Sequence, residues 1–245
     1  MPFFIELMRT FFLSPDEWDR QCTLRGSEAH HMIKVLRMRA GDTCRILDGK
    51  GREGLFIIRG MDKNSVQLEL AETVMHPEPH SRAYIALGWG KSVRRSWIFE
   101  KAVELEAAGI WLWQAARSQS KMPDMTKESW HSQLVAGAKQ CVNPWIPELK
   151  SVTAGVTGLV ELAQGFDRKF ILWEGEAREA LLSGETLGSS GDTLFVIGPE
   201  GGFADDEVSL LKESGFAAAS LGNRILRWET AALLCLGLHF WSKQR

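Results

Sequence analysis

Apolar residues recur along this chain in two rhythms, and the change between them falls near residue 80. Before it, apolar runs are short and cut by turn residues. Residues 43–47, 54–58 and 65–70 read as strands, separated by Asp48-Gly-Lys-Gly51 and Met61-Asp-Lys-Asn64. Ser27 can cap a short helix reaching Leu36, with Ile33 and Leu36 on one face. Strands at this spacing predict a small β-barrel over residues 1–75. His76-Pro-Glu-Pro-His80 then holds the backbone extended and marks a linker over 76–82.

From residue 83 to 245 short apolar strands alternate with amphipathic helices. Strands are predicted at 83–87, 110–113, 169–173, 193–197 and 217–221, and helices at 96–108, 127–141, 205–214 and 229–241. That alternation predicts an α/β domain on a mostly parallel sheet. The last helix is apolar almost all round (Ala231, Ala232, Leu233, Leu234, Leu236, Leu238), so it belongs in a core or against a second subunit.

Composition changes this picture little. With 44% hydrophobic and 24% charged residues the chain is an ordinary globular one. A net charge of −2 does not by itself point to nucleic acid. Between Lys34 and Arg59, however, seven basic residues (Lys34, Arg37, Arg39, Arg45, Lys50, Arg52, Arg59) outnumber three acidic ones (Asp42, Asp48, Glu53). That is either a solvated face or an RNA footprint. Ten tryptophans stand against one tyrosine, and Trp97, Trp111 and Trp113 lie in apolar runs where core packing is expected. Cys22, Cys44, Cys141 and Cys235 are scattered without metal-ligand spacing, so reduced thiols and no metal are expected. No run reaches transmembrane length, and a cytoplasmic protein is expected.

Two loops carry the candidate chemistry. Gly198-Pro-Glu-Gly-Gly-Phe203 directly follows the strand at 193–197, beyond whose carboxyl end ligands of open α/β sheets bind. Its glycines admit close backbone approach to a flat ligand. It matches neither phosphate-binding glycine fingerprint, and Asp205, Asp206 and Glu207 after it would repel a phosphate. A ligand without phosphate and with a positive sulfonium, such as S-adenosylmethionine, suits it better; an ordinary tight turn is the alternative. The second loop, Leu221 to Ala231, gathers Arg224, Arg227 and Glu229 at the start of the last helix. Either Glu229 caps the helix while Arg227 pairs with Glu200, or all three are catalytic groups.

"IGPEGGF" followed by "LGNRILRWETAALLCLGL" resembles the signature of the ribosomal RNA uridine-N3 methyltransferase family (RsmE) of the SPOUT superfamily. "HHMIKVLRMRAGD", "ILDGKG", "FEKAVEL" and Arg117-Ser118 extend the likeness over both domains. The resemblance implies a PUA-like RNA-binding barrel before a SPOUT domain whose C-terminal trefoil knot holds S-adenosylmethionine. It also implies a homodimer with the last helix near its interface. Departures from the family pattern are Trp228 in place of a small residue, Glu106 in place of glycine, Lys139-Gln140 in place of Glu-Gln, and Asn143 near a usual basic position.

By that resemblance the cofactor site comprises Leu172, Ile197, Gly198, Pro199, Glu200, Gly201, Gly202, Leu221, Gly222, Ile225, Leu226, Arg227, Thr230 and Ala231. Methylating uridine N3 requires the nitrogen to lose its proton as it attacks, so a cation near the uracil oxygens and a base near N3 are expected. Arg227 is the candidate cation, and Glu229 or Glu200 the candidate base. RNA phosphates of 16S ribosomal RNA or the small subunit would meet Arg9, Lys34, Arg37 and Arg39 on the first domain, and Lys91, Arg94, Arg95 and Arg117 on the second. Three rivals remain at this point: a SPOUT enzyme acting on a ribose hydroxyl or a tRNA base, a non-catalytic assembly factor whose pocket Trp228 fills, and a nucleotide-dependent oxidoreductase.

Overall fold

The computed structural model describes residues 8–20, 22–90, 94–173, 180–187 and 190–244. Its chain divides into two units, Met1–Glu78 with Val135–Ile146, and Pro79–Leu134 with Pro147–Arg245.

In the first unit β1 (Thr10–Phe12), α1 (Pro15–Arg20), β2 (Thr23–Arg25), α2 (Gly26–His30), β3 (Thr43–Leu47), β4 (Arg52–Met61) and β5 (Ser65–Met75) follow in order. They build a five-stranded sheet in the order β1-β3-β4-β5-β2. Alternation sets its inner face: Gly54, Phe56 and Ile58 of β4 point inward between half-buried neighbours. Phe11, Leu24, Met32, Ile46 and Val66 complete that core. A Cβ on Gly54 would lie 2.7 Å from the Phe56 ring and 2.9 Å from Trp18, so only glycine admits the edge-on Trp18–Phe56 pair there. The turn into β4 is held by Asp48, which is buried and accepts the backbone N–H groups of Lys50 (2.7 Å) and Arg52 (2.9 Å).

The helix expected over 27–36 is present in two pieces. Beyond α2, residues His31–Val35 form a π-helical turn closed by Leu36 N–H to the His31 carbonyl at 3.0 Å. The wider turn leaves Met32, not Ile33 or Leu36, fully buried.

The second unit runs β6 (Ser81–Gly88), α3 (Arg95–Glu104), β7 (Ala107–Trp113), α4 (Glu128–Cys141), β8 (Glu148–Val152), α5 (Gly155–Leu162), β9 (Arg168–Leu172), α6 (Gly184–Leu187), β10 (Gly191–Ile197), α7 (Asp205–Glu213), β11 (Ala217–Ala219) and α8 (Trp228–Ser242). The second half of α4 belongs to the first unit. All six strands are parallel, in the order β11-β9-β10-β6-β7-β8. Helices on both faces explain why β7 and β10 are almost continuously buried. Leu194 and Val196 share a core with Val208 and Leu211 of α7, while α8 packs on β6 and β10.

Three local expectations differ from the structure. Helix α3 stops at Glu104 rather than 108, because Glu106 takes the left-handed conformation (φ 54°) and Ala107 already pairs in β7. Glycine is the residue that adopts this conformation without strain; here Glu106 holds it and pairs with Lys243 at 2.7 Å. Strand β8 and helix α5 are not apparent in the sequence pattern. Trp111 and Trp113 are core residues, but Trp97 is 45% exposed.

Buried on α8, His239 is bonded through Nε2 to the Ser81 hydroxyl at 3.0 Å. Burial, with Lys243 and Arg168 adding positive charge nearby, pushes its pKa down to about 4 from 6.5. The unfolded chain therefore takes up this proton at higher pH than the folded one, and stability falls as pH drops from 6.5 toward 4. Between pH 7 and 5 the ring should contribute a loss on the order of 2 kcal/mol. Urea unfolding of wild type and His239→Gln at both pH values checks this: the wild type should lose more stability than the variant, and equal losses would contradict it.

Candidate active site

Strand order places a switch in the middle of the parallel sheet. The chain leaves β6 toward β7 and β8 on one side, then returns to build β9, β10 and β11 on the other. Ligands of such sheets sit outside the carboxyl ends of the strands at this switch. A cavity of about 870 Å³ lies there, within the roughly 300–1,000 Å³ range of small-molecule sites. Its walls are the ends of β9 and β10 (Leu172, Ile197) and the two loops singled out from the sequence, Gly198 to Phe203 and Ser220 to Trp228.

Glycines shape this cavity where backbone meets backbone. A Cβ on Gly88, at the end of β6, would lie 2.3 Å from the Pro199 nitrogen, so no other residue fits without moving the loop. At Gly201 the fit is less severe: a Cβ would lie 3.0 Å from the Arg117 carbonyl oxygen. Gly202 (φ 72°) and Gly222 (φ 114°) line the cavity in conformations that L side chains rarely adopt, and a Cβ on either would meet no protein atom within 4 Å. Both leave bare backbone toward the open space.

Every residue expected at the cofactor site lines this one cavity except Thr230. Thr230 instead lines a smaller apolar groove of about 480 Å³ with Trp97, Leu226, Leu233 and Leu234. Trp228 stands in the main cavity's wall, and the cavity remains open beside it.

The charges are arranged differently from the expectation. Asp205 and Asp206 are exposed on α7 and do not line the cavity. Glu207 is 3% exposed and faces the protein: Oε1 accepts the Ala116 N–H and Oε2 the Ala204 N–H, each at 2.8 Å. It thereby ties the loop after β7, which carries Arg117, to the loop after β10. Read from the sequence, Glu207 is only part of an acidic helix start; its place three residues after the helix cap was the available signal of this second role. Arg94, Arg117, Arg224 and Arg227 line the cavity against Glu200 and Glu229, so the acidic start of α7 does not make the cavity as built repellent to phosphate.

Glu229 is 5% exposed and pairs with Arg94 at 2.9 Å. Arg227, at the start of α8, is exposed and makes no side-chain hydrogen bond or ion pair among the described residues. Glu200 accepts a hydrogen bond from Trp228 Nε1 at 3.1 Å. Arg95 lies over the Trp89 ring, 3.9 Å from its centroid, and donates to the Gly90 carbonyl at 2.7 Å. Burial holds its pKa below the usual arginine value, with the charge of Glu200 opposing.

On the first unit Arg9, Lys34, Arg37 and Arg39 are all exposed. Three of the basic residues counted with them are committed to ion pairs: Arg45 with Glu53, Arg52 with Asp48 and Asp19, and Arg59 with Glu69. Lys139 pairs with Glu28 at 2.5 Å, and Asn143 accepts the Trp145 N–H at 2.9 Å. Lys91 lies outside the described residues.

A parallel α/β unit with a glycine-cradled cavity at its switch point, following a small β-rich unit, defines the class: a two-unit protein with a cofactor-type site. Comparison narrows it. The RNA methyltransferase domain family matches residues 76–239, and the RNA methyltransferase PUA domain matches residues 24–71. A ribosomal RNA small subunit methyltransferase E from Bacillus subtilis is 31% identical over 224 residues, covering 87% of each chain. A probable rRNA-methyltransferase from Porphyromonas gingivalis superposes with a TM-score of 0.86 at 26% identity, covering 97% of this chain and 99% of that one. A Legionella pneumophila protein, described as a methyltransferase in complex with the bound cofactor SAM, gives a TM-score of 0.81 at 27% identity and covers 95% and 96%. This chain belongs to the RNA methyltransferase family.

Replacing Glu207 by Gln leaves one acceptor for two buried N–H groups and sets an NH₂ against the other. Stability should fall by about 1–3 kcal/mol, with amide exchange rising first at Ala116 and Ala204. Urea unfolding and hydrogen exchange measure both, and an unchanged midpoint would contradict the clamp.

Proposed function

We propose that this protein transfers the methyl group of S-adenosylmethionine to N3 of a uridine in 16S ribosomal RNA. One observation carries the reading: two separate sequence motifs wall a single cavity at the sheet's switch point. Relatives named ribosomal RNA small subunit methyltransferase E, and a structural neighbour with bound SAM, support it.

The residues present fit that group. Leu172, Ile197, Leu221 and Leu226 offer apolar walls for an adenine ring, and the bare backbone at Gly202 and Gly222 can accept a flat or extended ligand without Cβ interference. Bound S-adenosylmethionine supplies an electrophilic methyl group. This chain's own residues then act in three ways. Gly198 to Phe203 and Leu221 to Leu226 would hold the ligand and fix its position relative to an incoming base. Arg227, without a side-chain partner among the described residues, stabilises the negative charge that develops on the uracil oxygens as N3 loses its proton. Arg117 and Arg224 at the cavity, with Arg9, Lys34, Arg37 and Arg39 on the first unit, meet phosphates, which position the RNA without reading its sequence. Arg94 is held to Glu229 and Arg95 to Gly90 and Trp89, so both serve the RNA less directly than the sequence pattern implied.

The same reading includes a trefoil knot formed by the loops after β10 and β11, and a homodimer. The dimer draws support from α8, whose Trp241 is 62% exposed and whose Leu234 (38%) lines the apolar groove that Trp97 also lines.

Labelled methyl transfer to undermethylated small subunits and to naked 16S RNA, with nucleoside mass spectrometry, tests the reading; 3-methyluridine is the expected product, and another methylated nucleoside overturns it. Arg227→Ala should lower turnover at saturating S-adenosylmethionine by about 100-fold or more. An unchanged rate removes Arg227 from the mechanism.

A further inference from the structure

Trp228 opens α8 in a largely buried position (7% exposed), and its indole N–H is the one side-chain hydrogen bond to Glu200 among the described residues, at 3.1 Å. The Glu200 carboxylate lies over Gly90. A Cβ there would sit 2.0 Å from Oε2 and 2.8 Å from Oε1, so the carboxylate occupies space that any other residue at position 90 would fill. Beneath it the Arg95 guanidinium is anchored to the Gly90 carbonyl and stacked on Trp89. The end of β6, the start of α3 and the start of α8 thus converge on one carboxylate of the loop after β10.

Glu229, the other carboxylate of the cavity, is placed differently. It is 5% exposed and its Oε1 is held by the charged Arg94, so it presents less of its carboxylate to an incoming N–H than the exposed Glu200 does. Glu200 is exposed at the cavity, with the indole on Oε1 and no hydrogen bond to Oε2 among the described residues.

We propose that Trp228 is a positioning residue: its indole N–H holds Glu200 over Gly90 so that Glu200, and not Glu229, takes the N3 proton of the target uracil. This rests on the uridine-N3 reading above. The N3–H bond breaks and its proton passes to the free oxygen of Glu200. The N3 electron pair forms the bond to the methyl carbon, the methyl–sulfur pair returns to sulfur, and a neutral thioether leaves. The proton then passes from Glu200 to water. A tryptophan where small residues are usual in the family is thereby part of the working site rather than a plug in it.

The test combines indole NMR with kinetics. In ¹⁵N-indole spectra, the signal missing from Trp228→Phe should shift in Glu200→Ala. By calorimetry, Trp228→Phe should bind S-adenosylmethionine within about threefold of wild type, and kcat is read at saturating cofactor for every variant. Glu200→Ala should lower kcat by about 100-fold, and Trp228→Phe by about tenfold with KM for the cofactor little changed. The double variant should be no slower than Glu200→Ala, because the indole acts only through that carboxylate. Where Trp228→Phe does not fold, a single indole signal that differs between wild type and Glu200→Ala supports the same contact. An indole signal indifferent to Glu200→Ala, or losses that multiply in the double variant, overturns the proposal. A product other than 3-methyluridine, with the indole shift intact, overturns Glu200 as acceptor through the reading it rests on and leaves the contact itself standing.

Discussion

No side chain fits between the end of β6 and the loop that follows β10. At Gly88 the Pro199 nitrogen stands where a Cβ would go, and at Gly90 the Glu200 carboxylate does. Much of the second unit's arrangement follows from that approach. Because β6 and β10 are neighbours in the sheet and part company in chain order there, the loop after β10 must fold back over the end of β6. Doing so opens a cavity toward the loop after β11 and presents backbone, not side chains, to whatever enters. Glu207 locks the outer side of the same loop to the segment carrying Arg117. The site is therefore preorganised by buried hydrogen bonds and by missing side chains, two devices that cost little adjustment when a ligand arrives.

Charge is divided along the same lines. The carboxylates near the cavity each have a partner of a different kind. Glu207 bonds backbone, Glu229 holds Arg94, and Glu200 is fixed by Trp228. Arg227 has no side-chain partner among the described residues, and Arg117 has a long contact (3.4 Å) to the Gly201 carbonyl. Cations able to turn toward a ligand suit a reaction in which negative charge appears on a base held among phosphates. The chain's small overall negative charge gives no hint of this, because it counts every charge in the chain and not those at the cavity.

Much of this is legible in the sequence where the signal is local. Short apolar runs locate β3, β9 and β10 within a couple of residues of their bounds, and two contiguous motifs bring together nearly all of the cavity wall. What escapes depends on distant partners. The periodicity around Glu106 does not announce a left-handed residue, since Leu105 and Ala107 continue a helical rhythm; the glycine usual there in the resembled family is the one signal, and the turn is imposed by Ala107 joining the sheet. Arg95 looks like any basic surface residue until Trp89 and Trp130 are folded around it. Thr230 sits inside a cavity motif, yet as an early residue of α8 its direction is set by the helical turn, which aims it at the neighbouring groove. Trp97 reads as a core residue from its apolar neighbours Ile98 and Phe99, which are buried while it is not.

The most direct test of the account is calorimetric titration of the intact protein with S-adenosylmethionine, repeated with Gly88→Ala and with NAD as a control ligand. The account predicts one S-adenosylmethionine bound per chain by the wild type, binding lost or much weakened in Gly88→Ala because Pro199 is forced aside, and none of NAD. No binding of S-adenosylmethionine by the wild type, or equal binding by Gly88→Ala, would contradict the claim that this backbone approach builds the cofactor site.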